Sequence, residues 1–394
     1  MSQREVVVAS AVRTAIGTYG GSLKEVPPTA LAALCVRESV ARAKVEPASV
    51  GHVVFGSVIH GEARDMYLSR VAALDGGLPV GTPCLTVNRL CGSGLQAVVS
   101  AAQYLLLGDC DIAVAGGAES MSRAGYMLPS ARWGQRMGDA AIVDAMTAAL
   151  HDPFGNGHMG ITAENIAQKY GITREEQDAF ALQSQHKAAR AIDAGHFKGQ
   201  IVPVEIKGRK GTVQFDTDEH VRRDAKIEDL QKLKPVFKKD GSVTAGNASG
   251  LNDAAAAVVL MDRAAAEKQG IKPMARLVAY AHAGVEPQLM GLGPIPAVRR
   301  VFEKSGLKPA DMDVIESNEA FAVQAMAVTR DLELDPARVN VNGGAVALGH
   351  PIGATGCILT VKALHELERA QKRYALVTMC IGGGQGIAAI FERL

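Results

Sequence analysis

Cys91 lies in a short segment whose composition suits a reactive thiol. Residues 88–94 read NRLCGSG, and the Ala-, Val- and Leu-rich residues that follow are typical of a helix. Free N–H groups at the start of a helix favour a thiolate over a thiol, and the neighbouring glycines let a carbonyl group approach the backbone. The segment therefore indicates an activated nucleophile. For Cys91 alone, a buried structural cysteine is the alternative interpretation.

A second cysteine, Cys380, ends an apolar, strand-like segment and precedes residues 381–386 (IGGGQG). Glycines after a strand also occur in dinucleotide-binding folds, but this spacing is not G-x-G-x-x-G and too few residues follow for another βαβ unit. We therefore favour a reactive thiol beside glycine N–H groups that could stabilise a negatively charged oxygen.

Two further segments carry groups that could assist a thiol. His350 lies in a turn that contains Gly and Pro, residues 348–353 (LGHPIG), where an imidazole could serve as acid or base. Asn318 and Glu319 open the segment NEAF and supply an amide and a carboxylate that could position a water molecule or the histidine. Either segment alone is also compatible with a structural role.

Strand-like apolar runs alternate with helix-like stretches, which predicts an α/β fold. The clearest predicted strands are residues 6–9, 53–55, 112–115 and 375–379, and the clearest predicted helices are residues 94–107 and 363–369.

The chain also resembles itself. Residues 46–48 align with residues 308–310, and residues 91–94 with residues 353–356, at an offset of 262 residues in both cases. In each half a turn of small residues precedes an apolar helix and then a strand that ends in glycines. The sequence therefore predicts a duplicated α/β unit, with extra residues inserted between turn and strand in the second half.

Residues 121–249 differ from both halves because they are rich in charge, His, Gly and Pro, which predicts an inserted loop domain. A helix is predicted over residues 174–194, with Thr173 as its cap. The basic residues of the segment form either a solvated face or a clamp for a phosphorylated ligand. They are Lys207, Arg209, Lys210, Arg222, Arg223, Lys226, Lys232, Lys234, Lys238 and Lys239. Without interleaved aromatic residues, nucleic-acid binding is not expected.

Composition limits the remaining possibilities. A chain of 394 residues with a formal charge of +1 has no global field to recruit nucleic acid or an anionic membrane. Its apolar runs are too short to span a bilayer, and no export signal is visible. The six cysteines form no CxxC pair and no zinc-type spacing, so we expect reduced thiols, no metal site and a cytoplasmic location.

Taken together, the segments resemble the thiolase family over essentially the whole chain. Those that carry the resemblance are residues 10–17 (SAVRTAIG), 88–94 (NRLCGSG), 116–121 (GGAESM), 158–160 (HMG), 244–253 (TAGNASGLND), 318–321 (NEAF), 349–356 (GHPIGATG) and 380–386 (CIGGGQG). Within the family the chain looks most like the short-chain biosynthetic, broad-range β-ketothiolases that feed polyhydroxyalkanoate synthesis.

The resemblance implies a duplicated, layered αβαβα fold. Residues 1–120 with 250–272 would form the N-terminal half, residues 121–249 the loop domain, and residues 273–394 the C-terminal half. By resemblance, residues 122–139 build a homotetramer, a dimer of dimers.

The implied chemistry is a reversible Claisen condensation of acetyl-CoA with a short acyl-CoA, which needs no cofactor. Cys91 would take the acyl group and His350 its proton, while Cys380 would exchange the α-proton of acetyl-CoA. Two oxyanion sites are implied, one formed by His350 with a water held by Asn318, the other by the N–H groups of Cys91 and Gly382.

Coenzyme A is the implied substrate handle. By resemblance His158 and Ser249 line the pantetheine tunnel, and Arg222 approaches the adenine end, which favours the clamp interpretation for that residue. Asp229 departs from the family, whose short-chain members commonly have Ser there. Met159 and Met290 match methionines near the acyl pocket, although core filling is the alternative. Phe237, Ala245 and Phe321 complete the implied binding site.

Three alternatives stay open at this stage. The first is a degradative 3-ketoacyl-CoA thiolase of fatty-acid oxidation. The second is a ketoacyl synthase, whose Cys-His-His or Cys-His-Asn pattern leaves no place for Cys380. The third is a non-catalytic acyl-CoA-binding protein, which could lack either reactive cysteine.

Overall fold

The computed structural model describes residues 4–208 and 211–394. Its strands are β1 Val6–Thr14, β2 Gly17–Thr18, β3 His52–Gly56, β4 Cys84–Val87, β5 Ile112–Ser120, β6 Tyr126–Met127, β7 Val143–Asp144, β8 Ile201–Val202, β9 Val204–Gly208, β10 Gly211–Phe215, β11 Asn252–Asp262, β12 Ala275–Gly284, β13 Val314–Ser317, β14 Tyr374–Ile381 and β15 Gln385–Arg393. Its α-helices are α1 Pro28–Ala43, α2 Leu68–Asp75, α3 Ser93–Leu107, α4 Ala145–Ala149, α5 Met159–Tyr170, α6 Arg174–Asp193, α7 Ile227–Gln231, α8 Arg263–Lys268, α9 Pro294–Ser305, α10 Ala322–Asp331, α11 Ala345–Leu348 and α12 Thr355–Arg369.

The main sheet has the order β13-β14-β15-β12-β1-β11-β5-β3-β4, with β2 paired to β11 and β8 to β1. β1 and β12 join the two halves through antiparallel pairs at Val7 and Val8. Strands β1, β5 and β11 are buried along their whole length. A strand covered on both faces needs a continuous apolar run, which explains why polar and apolar residues do not alternate along these strands.

The two halves repeat each other on either side of the β1–β12 junction. β3, β5, β11 and β1 on one side correspond to β13, β14, β15 and β12 on the other, with the same parallel and antiparallel pairings. The duplicated α/β unit predicted from the sequence is therefore present.

The predicted insertion in the second half is wrong. Helices α3 and α12 both have 15 residues, and β5 and β14 begin at Ile112 and Tyr374, at the same offset of 262 residues. The glycines were misleading because Gly116 does not end its strand. It lies inside β5, where a Cβ atom would come within 2.4 Å of the Phe55 ring.

The helices form three layers around the strands. α1 packs on the outer face of the N-terminal half, α9 packs on that of the C-terminal half, and α3 and α12 lie between them. At the start of these two inner helices the backbones touch: a Cβ on Gly94 would lie 2.6 Å from Cys357 N, and one on Gly356 would lie 2.3 Å from Leu95 N. Only glycine allows this approach.

Residues 121–249 hold β6 to β10 and α4 to α7, yet they are tied to the main sheet. β8 pairs with the end of β1, and the fully buried Arg13 and Asp218 form a bidentate pair at 2.7 and 2.9 Å. The predicted cap of α6 is present, because Thr173 and Glu176 form a capping box.

One segment, residues 90–107, is long and apolar enough by composition to cross a membrane. More than half of it is buried inside the fold, where α3 packs against strands of the N-terminal half and against α12. Its apolar character therefore has a packing explanation.

Candidate active site

Cys91 lies in a tight turn between β4 and α3. Leu90 before it adopts a left-handed conformation with φ of 46°, which is uncommon for a non-glycine residue. Ser93 holds the turn, since its hydroxyl accepts from Arg89 N at 2.9 Å and donates to Leu90 O at 2.7 Å. This local strain places the Cys91 side chain, which is partly exposed, at the inner end of a cavity.

The electrostatics of Cys91 differ from the sequence-based prediction. Burial raises the pKa of its thiol above the ordinary value, although the N–H groups of Gly382 and of Cys91 itself point at the sulfur and oppose the increase. The negative charge of Glu119 adds to the increase in pKa. The helix start therefore does not outweigh desolvation, and the resting nucleophile is a thiol.

His350 is buried and is held from three sides. Its backbone N–H donates to Asn252 Oδ1 at 2.9 Å, and its ring Nδ1 lies 2.7 Å from Thr355 Oγ1. Thr355 donates its own hydroxyl proton to Pro351 O at 2.9 Å. The hydroxyl can therefore only accept from Nδ1–H, which leaves Nε2 as the free base.

Two features leave the Nε2 of His350 unprotonated and without a close partner. Burial lowers the pKa of its imidazole to about 4, so the ring is neutral at ordinary pH. Asn318 Nδ2 lies 3.5 Å from Nε2, a long contact that leaves room for other donors.

Cys380 lies at the end of β14, fully buried. Burial raises the pKa of its thiol well above the usual range, and a negative charge on Cys91 would raise it further, so the two sulfur atoms lie near each other. Gly383 and Gly384 follow with φ of 80° and 86°, a turn that glycine adopts readily. This turn leads directly into β15.

Asn318 and Glu319 point to different places. The amide of Asn318 is buried beside His350, and its Oδ1 has no partner within the described residues, as a group that holds a water would require. The carboxylate of Glu319 instead accepts from Ser184 Oγ at 2.7 Å and Asn340 Nδ2 at 2.9 Å. The idea that Glu319 positions the histidine is therefore wrong.

A cavity of about 430 Å³ leads to Cys91. Of the residues predicted from the sequence, its walls include Cys91, His158, Met159, Arg222, Phe237, Ala245, Ser249, Met290, Phe321, His350 and Gly382. Cys380 and Asn318 are fully buried and do not line it. One cavity thus joins side chains from both halves and from the loop segment.

Aromatic rings form one wall of the cavity. His158 stacks on Phe237 with ring centroids 4.6 Å apart, and Phe237 meets Phe321 edge to face at 6.3 Å. The Nδ1 of His158 accepts from Gly160 N at 3.0 Å, so its other nitrogen carries the proton. Met159 and Met290 are buried nearby.

The basic residues predicted as a clamp have different surroundings. Arg222 is exposed at the cavity wall, and with Arg223, Lys226 and Asp229 it also borders a neighbouring depression of about 370 Å³. Arg223 is paired with Asp193. Arg209 and Lys210 lie outside the described residues.

Several residues of the site were not found from the sequence. His220, Met121, Met146, Leu150 and Ile352 line the cavity, and Thr355 and Asn252 hold His350. Four of them had a signal because they lie in segments of family resemblance: Met121, Asn252, Ile352 and Thr355. Within the described ranges, no three His, Cys, Asp or Glu side chains cluster as metal ligands would.

Comparisons with known proteins agree on one family. The profile of the thiolase N-terminal domain matches residues 6–264, and that of the thiolase C-terminal domain matches residues 271–393. The beta-ketothiolase BktB of Cupriavidus necator is 68% identical over 392 residues, which is 99% of this chain and 100% of that protein. An acetyl-CoA acetyltransferase of Pseudomonas aeruginosa is 51% identical over 393 residues, with 99% and 100% covered.

Solved structures agree with the sequences. Human mitochondrial 3-ketoacyl-CoA thiolase in complex with CoA superposes with a TM-score of 0.96 at 44% identity, covering 100% of this chain and 98% of that one. The acetyl-CoA acetyltransferase of Bacillus anthracis gives a TM-score of 0.97 at 47% identity, with 100% and 99% covered.

The geometry around His350 gives a testable expectation. Thr355→Val removes the acceptor for Nδ1–H without changing side-chain size, so the ring is free to adopt the other tautomer. We expect kcat for acyl transfer to fall by about tenfold or more, while Thr355→Ser keeps most activity. Ring ¹⁵N NMR on histidine-labelled protein should show His350 with a proton on Nδ1 in the wild type, but not in Thr355→Val. Unchanged kcat and ring signals in Thr355→Val would contradict the assignment.

Proposed function

The chain belongs to the thiolase family and is an acyltransferase, and from that premise we propose that it makes and breaks short 3-ketoacyl-CoA thioesters through an acyl-Cys91 intermediate. The observation that carries the proposal is the convergence of Cys91, His350 and the N–H of Gly382 on one cavity, with Cys380 directly behind it.

We propose that acyl transfer begins when His350 Nε2 takes the proton of the Cys91 thiol. The sulfur attacks the thioester carbonyl of an acyl-CoA, and the N–H groups of Cys91 and Gly382 donate to the oxygen that becomes negative. When the carbonyl re-forms, CoA leaves with the proton that His350 returns. A neutral imidazole suits this role, because its low pKa leaves Nε2 free to accept.

The second half-reaction uses Cys380. The Cys380 thiol gives its proton to His350 Nε2, and the resulting thiolate removes the α-proton of acetyl-CoA. The Nε2–H of His350 and a water held by Asn318 then stabilise the enolate oxygen. The carbanion attacks acyl-Cys91, 3-ketoacyl-CoA leaves, and the Cys91 thiolate takes the proton back from His350, which restores both thiols. Because burial raises the pKa of Cys380, its thiolate is a strong base, as a weakly acidic α-proton requires.

The proposed substrate handle is coenzyme A. The aromatic wall of His158 and Phe237 and the small residues Ala245 and Ser249 form a narrow apolar channel that suits pantetheine. Arg222 at its opening suits a phosphate. The solved complex of the human relative with CoA supports CoA as the ligand.

We also propose that the enzyme needs no metal or redox cofactor, acts in the cytoplasm and supplies 3-ketoacyl-CoA for polyhydroxyalkanoate synthesis. The proposed chemistry involves only proton and acyl transfer among thiols, an imidazole and backbone N–H groups. The location and pathway rest on the resemblance to short-chain biosynthetic thiolases. We propose the division of the chain at residues 120, 249 and 272 on the same basis.

The two cysteines should separate in a trapping experiment. After incubation with acetyl-CoA, Cys380→Ser should retain an acetyl group on Cys91 by mass spectrometry, because acylation does not use Cys380. Cys91→Ser should retain none, and both should lose about a hundredfold or more in kcat. Equal acetylation of the two variants would refute the assignment of Cys91.

Chain length separates this proposal from a degradative thiolase. The buried Met159 and Met290 narrow the acyl end, so thiolysis kcat/KM should be higher for acetoacetyl-CoA and 3-ketovaleryl-CoA than for 3-ketodecanoyl-CoA, by about tenfold or more. Met290→Ala is the matched variant. It should enlarge the acyl end and so reduce the difference in kcat/KM between short and long substrates. Higher efficiency with 3-ketodecanoyl-CoA in the wild type would favour the degradative alternative.

We propose a homotetramer, because the segment 122–139 exposes large apolar side chains with nothing to cover them in one chain. Trp133 is 89% exposed, Met137 94% and Tyr126 70%. Light scattering at micromolar concentration should give the mass of four chains, and Trp133→Asp with Met137→Asp should lower it to two. A wild-type mass of one or two chains would refute the proposal.

A further inference from the structure

Glu119 is a fully buried carboxylate in the wall behind Cys91. Its oxygens accept from three backbone N–H groups: Val58 at 3.1 Å, Ile59 at 3.2 Å and Gly353 at 2.9 Å. Within residues 4–208 and 211–394 it has no Lys, Arg or His partner. A carboxyl group whose only partners are backbone N–H groups is costly to bury and to ionise in the interior, so its presence needs an explanation.

The duplication shows which place Glu119 occupies. Phe55 pairs with Gly116 in the first half, and Ser317 with Thr378 in the second, so an offset of 262 residues superposes both strand pairs. The same offset places Glu119 on Ile381, and each of these side chains faces the turn before the inner helix of the other half. The helix turns, at an offset of 262 residues, place Gly353 on Cys91.

The turn of Gly353 is therefore the counterpart, in the second half, of the turn of Cys91. The N–H of Cys91 lies beside the reacting sulfur and is proposed to donate to the substrate oxygen. The corresponding N–H of Gly353 donates instead to the carboxylate of Glu119. A carboxylate oxygen of Glu119 thus accepts from Gly353 N as a substrate oxyanion is proposed to accept from Cys91 N.

This contact also joins the two halves at the base. Gly353 follows His350 by three residues and Ile352 by one, so its N–H fixes the turn that carries the imidazole. Val58 and Ile59 belong to the other half, and Ile59 packs with Ile352 and Met121 beside Cys91. One carboxylate thus sets the turn of His350 relative to the half that carries the nucleophile.

We propose that Glu119 is a positioning residue for the reaction, which holds His350 in reach of Cys91 by clamping Gly353 to the loop of Val58 and Ile59. The inference rests on the proposed role of His350 as the base. It does not require Glu119 to touch substrate.

The charge of Glu119 supplies an independent readout. It raises the pKa of Cys91, while burial raises the pKa of Glu119 itself to about 8 against the effect of its three N–H donors. Removing the charge should therefore make Cys91 easier to ionise, even though turnover falls. Loss of packing that admits water would also lower the pKa of a buried thiol, so a variant that keeps the charge is needed to separate the two effects.

Two variants separate position from charge, measured by thiolysis kinetics and by the pH dependence of Cys91 alkylation with iodoacetamide. Glu119→Gln keeps the side-chain volume but places its NH₂ group opposite a backbone N–H donor, so one of the hydrogen bonds is lost. We expect kcat to fall by about tenfold or more, and KM for CoA to stay within about threefold of the wild-type value. Its alkylation midpoint should move to lower pH. Glu119→Asp keeps the charge but loses reach, so kcat should fall while the midpoint stays. If Glu119→Gln does not fold, the kcat of Glu119→Asp tests the positioning role by itself.

Asp65→Asn is the matched control. Asp65 is another fully buried carboxylate, which accepts from the backbone N–H groups of Gly61 at 2.9 Å and Glu62 at 3.1 Å. Its charge raises the pKa of Glu119, but it has no hydrogen bond to the His350 turn, so Asp65→Asn changes the local charge without releasing Gly353. Its kcat should stay within about twofold of the wild type. The inference is overturned if the Glu119 variants keep wild-type kcat, or if Asp65→Asn loses as much. A wild type without thiolysis would instead contradict the proposed function.

Discussion

The active site depends on the tight backbone contact between the starts of α3 and α12. Gly94 and Gly356 face each other there, and a single methyl group on either would enter the other helix. Because Cys91 precedes one helix and His350 the other, this contact brings the nucleophile and the base into one site. A duplicated fold could place its two turns far apart. Here the two glycines allow the helix starts to touch, so the turns that carry Cys91 and His350 lie side by side. Each half contributes a different reactive group.

Burial then decides the charge state of that site. It raises the pKa of both Cys91 and Cys380 and lowers the pKa of His350, so all three groups rest in their neutral forms. This differs from enzymes that hold a preformed thiolate and imidazolium pair. Charge develops only when substrate reacts, and the N–H groups of Cys91 and Gly382 lie where it develops.

The sequence predicted the α/β layers and eleven of the 25 residues that line the cavity, because motifs such as NRLCGSG and GHPIGATG are local and bear reactive groups. It failed where a property depends on contacts between distant segments. Glu319 follows Asn318 in the chain but points towards Ser184, and Thr355 reveals its role only through its distance to His350. The helix start at Cys91 predicted a thiolate, but the competing desolvation cannot be read from a sequence.

The position of β1 has a consequence for how the chain is made. This first strand, buried over all nine residues, lies between β11 and β12, which begin at Asn252 and Ala275. The centre of the sheet therefore cannot close until the ribosome has synthesised well over half of the protein. Until then an apolar strand emerges first and waits without its neighbours, a period in which chaperones would matter most.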